Sequence, residues 1–307
     1  MAQTKLMLQG SIAATALAVL AGVAGPVHAG PKFSDWSPSA PTGLAGGCPI
    51  ESRSGNQLFV AGGFDGSLDI FYYQRTGRTD TFGDRTKVDD PVSKPPTAAG
   101  DVQDFCPTPL PGQALLFVSN RAGGCGGTDI YASRYNPGKD AWSEPRNLGC
   151  APDGPNTAGN ELSPSVVETA AGTLLYFSTG PDAASGYAAG QDIYESRMRV
   201  DGSFEPGMAV TELNTAAADR QPNVGRGGLE IVFASNRDAD GIGDIWYASR
   251  NSVYEAWSAP VNLSDTVPFG TAANDESRPS FSWDLKRLYY GSGGVYLSTR
   301  KSGGDSD

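Results

Sequence analysis

One pattern recurs five times along this chain and restricts its fold more than any other feature. In the clearest copy, an apolar run at residues 115–119 is followed by a glycine-rich turn, by Asp129-Ile130-Tyr131, and then by Trp142 shortly before a proline. β-Branched and aromatic runs bounded by Gly, Asn and Pro predict short antiparallel strands joined by tight turns. The central aliphatic residues of the copies are spaced 60, 63, 52 and 50 residues apart, at Ile70, Ile130, Ile193, Ile245 and Val295.

A further short strand precedes each copy and contains a proline: Pro49, Pro107, Pro164, Pro222 and Pro279. Four strands per unit at this period predict an all-β fold, a five-bladed β-propeller of four-stranded blades. The fifth copy stops before its outer strand, whereas Asp35-Trp36-Ser37 near the other end mirrors Ala141-Trp142-Ser143. We therefore expect the N-terminal strand within residues 33–45 to complete the last blade and close the ring, which leaves no free strand edge.

Residues 1–29 are predicted to be a signal peptide. Lys5 precedes an apolar run at residues 12–23, and Val27-His28-Ala29 resembles a cleavage site. The run is too short, and too rich in Gly and Ala, to predict a membrane span. We expect a periplasmic or secreted protein cleaved after Ala29, with one propeller domain at residues 30–301 and a disordered tail at residues 302–307.

The composition excludes several kinds of chemistry. His28 is the single histidine and lies in the predicted signal peptide, so the mature chain has none. This excludes Ser-His-Asp and Cys-His nucleophile systems as well as histidine-bound catalytic zinc. The net charge of −11 argues against nucleic acid and anionic lipid as partners. We expect a monomer whose chemistry, if any, rests on carboxylates, tyrosines or a bound metal.

Four cysteines in an exported chain predict disulfides. Cys48 and Cys106 each directly precede the proline of their blade, so they hold equivalent places on adjacent innermost strands. Cys125 lies in a turn of the second blade, and Cys150 follows the outer strand of that blade. The repeat geometry favours the pairs Cys48–Cys106 and Cys125–Cys150, with four free thiols as the alternative.

An acid stands three residues before the proline in four of the five blades: Asp104, Glu161, Asp219 and Glu276. The first blade has Gly46 in that place. Because innermost strands start beside the central channel of a propeller, we expect these carboxylates to converge at one mouth of the channel as a candidate ligand site. Arg121 and Arg237 are the basic residues expected near them. If these arginines pair with the acids, the carboxylates are scaffold rather than site.

Two motif pairs carry a resemblance to a known family: Ser119-Asn120-Arg121 with Asp129-Ile130-Tyr131, and Ser235-Asn236-Arg237 with Asp244-Ile245-Trp246. They resemble the TolB-type, WD-like β-propeller repeats, over residues 33–300. The resemblance implies an exported bacterial propeller that binds proteins, often around the channel mouth. Unlike TolB, this chain has no separate N-terminal α/β domain and five blades rather than six.

One turn has the spacing of a calcium loop. Asn236, Asp238, Asp240 and Asp244 place oxygen side chains at positions 1, 3, 5 and 9, with Gly241 at position 6. This resembles the calcium loops of integrin-type propellers, and Ca²⁺ prefers several oxygen ligands around a sharp turn. In the alternative interpretation Asn236 and Asp244 belong to the ordinary repeat, so that only Asp238 and Asp240 are additional.

The favoured function is a non-enzymatic exported binding module that presents the channel mouth to a protein partner or a neutral glycan. The alternative is a glycoside hydrolase, because five-bladed propellers resembling arabinanases place two or three carboxylates in a central funnel. Repeat-equivalent acids should have similar surroundings, whereas catalysis needs carboxyl groups with different pKa values. The outer-strand residues Trp36, Trp142 and Trp257 are expected to be poor sugar platforms.

Overall fold

The computed structural model describes residues 36–63, 67–95, 102–180, 190–238, 240–263 and 275–300. The predicted signal peptide at residues 1–29 and the predicted tail at residues 302–307 lie outside these ranges. Within them the chain is built from β-strands, turns and loops. No helix in this part of the chain has the length and apolar character needed to cross a membrane.

The strands pair in chain order into five sheets, and each sheet is one blade. Blade 1 contains β2 (Gly47–Glu51), β3 (Gln57–Gly62), β4 (Asp69–Gln74) and β5 (Arg85–Lys87). Blade 2 contains β6 (Asp104–Leu110), β7 (Ala114–Ser119), β8 (Asp129–Asn136), β9 (Ala141–Trp142) and β10 (Arg146–Asn147). Blade 3 contains β11 (Glu161–Thr169), β12 (Gly172–Thr179), β13 (Asp192–Arg197) and β14 (Met208–Ala209). Blade 4 contains β15 (Asp219–Val224), β16 (Glu230–Ser235), β17 (Asp244–Ser249) and β18 (Val261–Asn262), and blade 5 contains β19 (Ser277–Phe281), β20 (Arg287–Gly291), β21 (Val295–Thr299) and β1 (Ala40–Pro41).

The five blades form a closed ring, as the repeats predict. The innermost strands contact one another in the order β2, β6, β11, β15 and β19, and β19 contacts β2 again. The N-terminal strand completes blade 5, because β1 pairs with β21 and Trp36 forms a bridge with Arg300. Both the five-bladed fold and its closure by the N-terminal strand are confirmed.

In blades 3 and 4 the outer strand begins a few residues after the aromatic residue that marked it in the sequence. In blade 4 the outer strand starts at Val261, after Pro260 rather than at Trp257, and in blade 3 it starts at Met208, beyond Phe204. Trp257 and Phe204 are 5% and 4% exposed, so their side chains are packed into the blade interfaces. A proline cannot donate to a strand ladder, and regular pairing resumes only after it.

Each innermost strand has a β-bulge at the same place. The pairing with the second strand shifts there in all five blades. The residue before the proline is left-handed, with φ between 47° and 58°, at Cys48, Cys106, Ser163, Gln221 and Arg278. A bulge leaves one residue outside the ladder, so the missing N–H of the following proline costs no hydrogen bond.

The bulge side chains meet along the axis of the ring. The Cys48–Cys106 disulfide joins blades 1 and 2, and the Ser163 hydroxyl donates to Cys106 Sγ at 3.5 Å. Gln221 Oε1 accepts the Arg278 backbone N–H at 2.9 Å, and the fully buried Arg278 guanidinium lies 3.3 Å from Thr108 Oγ1. The channel is therefore filled at this level, below the mouth that carries the acids.

Both predicted disulfides are confirmed. The Cα atoms are 5.0 Å apart in Cys48–Cys106 and 5.5 Å apart in Cys125–Cys150, and the chain has no free cysteine. The first pair forms because equivalent bulges of adjacent blades lie side by side. Each bond closes a loop of a few tens of residues and stabilises the fold by about 3 kcal/mol.

The hydrophobic core lies between the blades rather than within one central cluster. The repeat isoleucines Ile70, Ile130, Ile193 and Ile245 are fully buried, and Val295 is 1% exposed. One cluster illustrates the principle, since it joins Ile70 and Val88 of blade 1 to Leu115 and Phe117 of blade 2. This packing holds the innermost strands in register and so fixes the positions of the residues at the mouth.

Candidate functional site

The four predicted acids lie at the start of, or just before, the innermost strands of blades 2 to 5, at the same end of the ring. We call Asp104, Glu161, Asp219 and Glu276 the mouth acids. All four are buried. The strand register places each of the first three opposite a hydroxyl residue of the second strand, namely Ser119, Thr179 or Ser235. That hydroxyl residue lies opposite an aspartate of the third strand: Asp129, Asp192 or Asp244.

In blade 2 the mouth acid is bound by its predicted arginine. Arg121 Nη2 lies 2.8 Å from Asp104 Oδ1, and the same nitrogen donates to the Val92 carbonyl at 2.9 Å. The Lys94 backbone N–H donates to Asp104 Oδ2 at 2.8 Å. Burial raises the pKa of Asp104, while Arg121 and these hydrogen bonds oppose that rise. Through Lys94 and Arg121, Asp104 thus holds the segment that connects blades 1 and 2 against the innermost strand of blade 2.

Blade 4 repeats this arrangement. The Arg237 guanidinium forms an ion pair with Asp219 and donates to the Leu213 carbonyl at 2.6 Å. Thr215 donates its N–H and its hydroxyl to Asp219 Oδ2, and the Ser235 hydroxyl donates to Oδ1 at 2.5 Å. Both oxygens of Asp219 are therefore engaged. In blades 2 and 4 the contacts fit the alternative in which the acid belongs to the scaffold.

Blades 3 and 5 differ, because their mouth acids have no equivalent arginine. Glu161 Oε1 accepts hydrogen bonds from the hydroxyls of Thr157, at 2.5 Å, and Thr179, at 2.7 Å. Burial raises the pKa of Glu161 to about 7, and burial together with Asp244 raises the pKa of Glu276 to about 7. The mouth acids therefore have two kinds of environment, contrary to the expectation that equivalent repeat positions would make them alike.

Glu161 forms a pair with Asp129 of the preceding blade. Asp129 Oδ2 accepts the Cys125 N–H at 2.6 Å, the turn role expected for this motif, and the Asn147 amide at 3.2 Å. Burial, and to a smaller extent the charge of Asp129, raises the pKa of Glu161. Asp129 Oδ1 and Glu161 Oε2 are buried oxygens without a hydrogen-bond partner among the described residues. Neighbouring carboxyl groups disfavour each other's ionisation, because like charges repel.

Asp192 is more accessible than the other described carboxylates beside Glu161, namely Asp129 and Asp219. The two residues lie on either side of Thr179, in the same row across blade 3, and Asp192 is only partly buried. Burial, and then the charge of Asp219, raises the pKa of Asp192. The sequence predicts a turn role for the aspartates of this motif, and neither Asp129 nor Asp192 belongs to the predicted site. The recurring row of acid, hydroxyl and aspartate across a blade was the signal that could have identified them.

The pKa shifts predict that stability decreases as the pH rises through neutrality. Glu161 and Glu276 have folded-state pKa values of about 7 against 4.5 for the free side chain. A carboxyl group with a raised pKa stabilises the fold below its unfolded pKa, and this contribution is lost as the pH rises through the folded pKa. We expect Tm to fall by several degrees between pH 5 and pH 8. Thermal melts across this range check it, and a Tm that rises with pH would contradict the assignment.

The turn predicted to bind calcium is held by protein hydrogen bonds. Asn262 Nδ2 donates to Asp238 Oδ2 at 2.6 Å and to Asp244 Oδ2 at 3.0 Å, while Asp240 Oδ1 accepts the N–H of Ile242 at 3.0 Å. Gly241 has φ 69°, the left-handed turn that the motif requires. Asn236 Oδ1 accepts the Ala218 N–H at 2.9 Å. In the described part of the chain, no group of three or more acidic, histidine or cysteine side chains is arranged to hold a metal.

Calcium binding at this turn remains a prediction. Ca²⁺ would replace the Asn262 amide as the bridge between Asp238 and Asp244, and its binding to the folded state would raise Tm. Melts in millimolar calcium and in chelator should then differ for the wild type and coincide for Asp238→Asn. Identical melts for the wild type in the two conditions would contradict calcium binding at this turn.

The comparisons with known proteins bear on the fold. No protein-family profile and no curated protein sequence matches the chain. Among solved structures, the catalytic domain of the GH62 α-L-arabinofuranosidase of Coprinopsis cinerea matches with a TM-score of 0.53 and 15% identity, over 87% of this chain and 96% of that one. The α-L-arabinofuranosidase of Podospora anserina, in complex with cellotriose, has a TM-score of 0.51 and 12% identity, over 86% and 96%. The Bacillus subtilis arabinanase has a TM-score of 0.50 and 12% identity, over 84% and 96%.

These matches correct the functional expectation. At such identities they establish a shared fold, and the three structures named above, each matched over 96% of its length, are arabinofuranosidases and an arabinanase, which are glycoside hydrolases. The prediction of a non-enzymatic module with a protein partner is therefore wrong, and the glycoside hydrolase alternative replaces it as the hypothesis to test. The predicted resemblance to TolB-type repeats is confirmed only as far as the five-bladed β-propeller fold, which the ring of five sheets shows.

Proposed function

We propose that this protein is a glycoside hydrolase whose reaction takes place at the channel mouth beside blade 3. The observation that carries the proposal is the difference between the mouth acids. Arg237 neutralises Asp219, whereas Glu161 has no arginine and has a pKa raised to about 7. A carboxyl group that keeps its proton near neutral pH can protonate a leaving glycosidic oxygen.

The second carboxylate in this proposal is Asp192. Hydrolysis of a glycoside needs a proton donor and a second carboxylate that acts as base or nucleophile across the scissile bond. Glu161 and Asp192 stand in one row, separated by the strand of Thr179. Two strand spacings put their backbones roughly 10 Å apart. Side chains of this length can close that gap to the ~5 to 9.5 Å used by paired carboxylates in such enzymes.

The remaining residues hold this pair in place. The charge of Asp129 adds to the effect of burial in raising the pKa of Glu161, and the Thr179 hydroxyl donates to Glu161 Oε1 at 2.7 Å. Asp219 raises the pKa of Asp192 but is itself held by Arg237. Because Glu161 is buried, a bound glycan must displace the Thr157 hydroxyl to reach it.

The test is release of reducing sugar from a panel of neutral glycans. The probes are soluble arabinan, xylotriose and cellotriose, chosen from the activities and ligands named for the structural neighbours. We expect hydrolysis of at least one probe, fastest below pH 7, where Glu161 is protonated. Absence of release from the whole panel at micromolar protein over a day would contradict the proposal.

A further inference from the structure

The interface between blades 1 and 2 lacks an interaction found elsewhere in the ring. In blades 1, 4 and 5 an arginine at the end of the third strand stacks on the aromatic residue that precedes the outer strand. The pairs are Arg75 on Phe82, Arg250 on Trp257 and Arg300 on Trp36, with 4.3, 4.1 and 4.7 Å between Cζ and the ring centroid. Two of these arginines also reach the preceding blade, where Arg250 Nη2 lies 3.2 Å from the Tyr176 hydroxyl and Arg300 Nη2 lies 2.9 Å from Glu230 Oε1.

Blade 2 has Tyr135 where those blades have arginine. Its hydroxyl donates to Asp140 in its own hairpin, and its ring packs edge-on against Trp142, with 5.6 Å between the centroids. On the facing side, blade 1 has Phe59 at the strand position that Tyr176 occupies in blade 3. At this position, the arginine and tyrosine whose polar groups link blades 3 and 4 are therefore replaced by Tyr135, which bonds within its own blade, and by Phe59.

An open groove lies at this interface. Its volume is about 710 Å³, within the roughly 300 to 1,000 Å³ typical of small-molecule sites. Phe59, Tyr72, Tyr135 and Trp142 line it. Trp142 is only partly buried, whereas the equivalent residues Trp36 and Trp257 are 3% and 5% exposed. Of the three tryptophans expected to be poor sugar platforms, Trp142 is thus the one whose side chain is only partly buried.

The polar lining of the groove indicates the class of ligand. Gln57, Thr86 and Gln113 contribute neutral hydrogen-bonding side chains, and the carboxylates of Asp89 and Asp140, which can accept hydrogen bonds from hydroxyl groups and disfavour an anionic ligand, also line the groove. The cations at the groove are already paired, Lys87 with Asp69 at 2.6 Å and Arg53 with Glu168 at 3.2 Å. Flat aromatic faces beside neutral donors and acceptors suit an uncharged ligand with apolar faces and hydroxyl edges, which is the character of a sugar ring.

We propose that this groove, between blades 1 and 2, is a second glycan-binding site that holds a neutral oligosaccharide against Trp142 and Tyr72. The choice of a glycan among uncharged ligands rests on the proposed function. The site is distant from the mouth acids, since β6 starts at Asp104 and ends at Leu110, which lines the groove. A strand of this length spans roughly 20 Å. The groove therefore holds either a distant part of the glycan that is hydrolysed at the mouth or a separate glycan molecule.

The experiment is calorimetric titration of the purified protein with xylotriose, cellotriose and soluble arabinan. We expect at least one probe to bind, and Trp142→Ala to weaken its affinity at least tenfold. Tyr135→Arg should place a guanidinium over Trp142, as in blades 1, 4 and 5, and so abolish binding while raising Tm. Tyr254→Ala is the matched control, because Tyr254 is an aromatic residue of blade 4 that is 73% exposed, and it should bind as the wild type does.

Glu161→Gln separates this inference from the proposed function. It should lose hydrolysis and keep the groove affinity, since Glu161 lies at the other end of the ring. Binding by Trp142→Ala and Tyr135→Arg that equals the wild type, or no binding by the wild type at millimolar ligand, would overturn the groove site whether or not the protein hydrolyses a glycan. Tryptophan-dependent binding without hydrolysis of any probe would support the groove and contradict only the hydrolase.

Discussion

Glu161→Gln is expected to lower kcat on a hydrolysed glycan by a factor of ~10² to 10⁴, the range that a positioned general acid contributes. Glutamine keeps the size of the side chain and its contacts with Thr157 and Thr179, but it has no proton to give to a leaving oxygen. In the wild type, kcat/KM should fall as the pH rises through about 7, where Glu161 loses its proton. The variant should lack this decline.

Two further variants make the prediction specific. Asp192→Asn should reduce kcat by a similar factor, because it removes the second carboxylate. Glu276→Gln is the matched control: Glu276 is also buried, with a pKa raised to about 7, but it belongs to blade 5 and should leave kcat within about twofold.

Stability distinguishes loss of chemistry from loss of folding. At pH 8 Glu161→Gln should melt no lower than the wild type, since it removes a desolvated carboxylate that has lost its proton. Full activity in Glu161→Gln would show that the proton comes from another group.

Glu51→Gln is expected to destabilise the fold by about 3–5 kcal/mol. The Glu51 side chain is 1% exposed and joins blade 1 to blade 5. Its carboxylate accepts hydrogen bonds from Arg75 at 3.0 Å, from two nitrogens of Arg287 at 2.9 Å each, and from the Tyr289 hydroxyl at 2.8 Å. An uncharged amide would leave two largely buried guanidinium groups without this countercharge.

Chemical denaturation and thermal melts measure this effect. For a domain of this size the loss corresponds to a fall in Tm on the order of 10 °C. Glu168→Gln is the control, because Glu168 is 58% exposed, pairs with Arg53 at 3.2 Å, and should contribute about 0–1 kcal/mol. Equal stability of the two variants would mean that the junction of blades 1 and 5 does not depend on the ion cluster.

The repeat was enough to predict the architecture. A strand cannot bury an apolar face alone, so five copies of one four-strand pattern imply five stacked blades, and the missing outer strand of the last copy implies closure by the N-terminus. The cysteine pairs followed for the same reason, since Cys48 and Cys106 hold equivalent places in adjacent copies. The repeat also predicts, as one of two alternatives, the arginine pairs of Asp104 and Asp219, because the Asn-Arg motif occurs in their two blades.

The chemistry at the mouth depended on contacts between distant parts of the chain. Glu161 and Asp219 occupy equivalent repeat positions, yet Glu161 faces Asp129 across a blade boundary and Asp219 faces Arg237 within its own blade. The pKa of a carboxyl group depends on its burial and on the charges within a few ångströms. The repeat pattern does not specify those charges, because a single different side chain in one copy of the repeat changes them. The groove beside Trp142 likewise depends on side chains from two neighbouring blades that differ from their equivalents elsewhere in the ring. The sequence by itself determined which residues are equivalent around the ring; only the tertiary structure decided which equivalent residues differ in partner, because partners come from neighbouring blades.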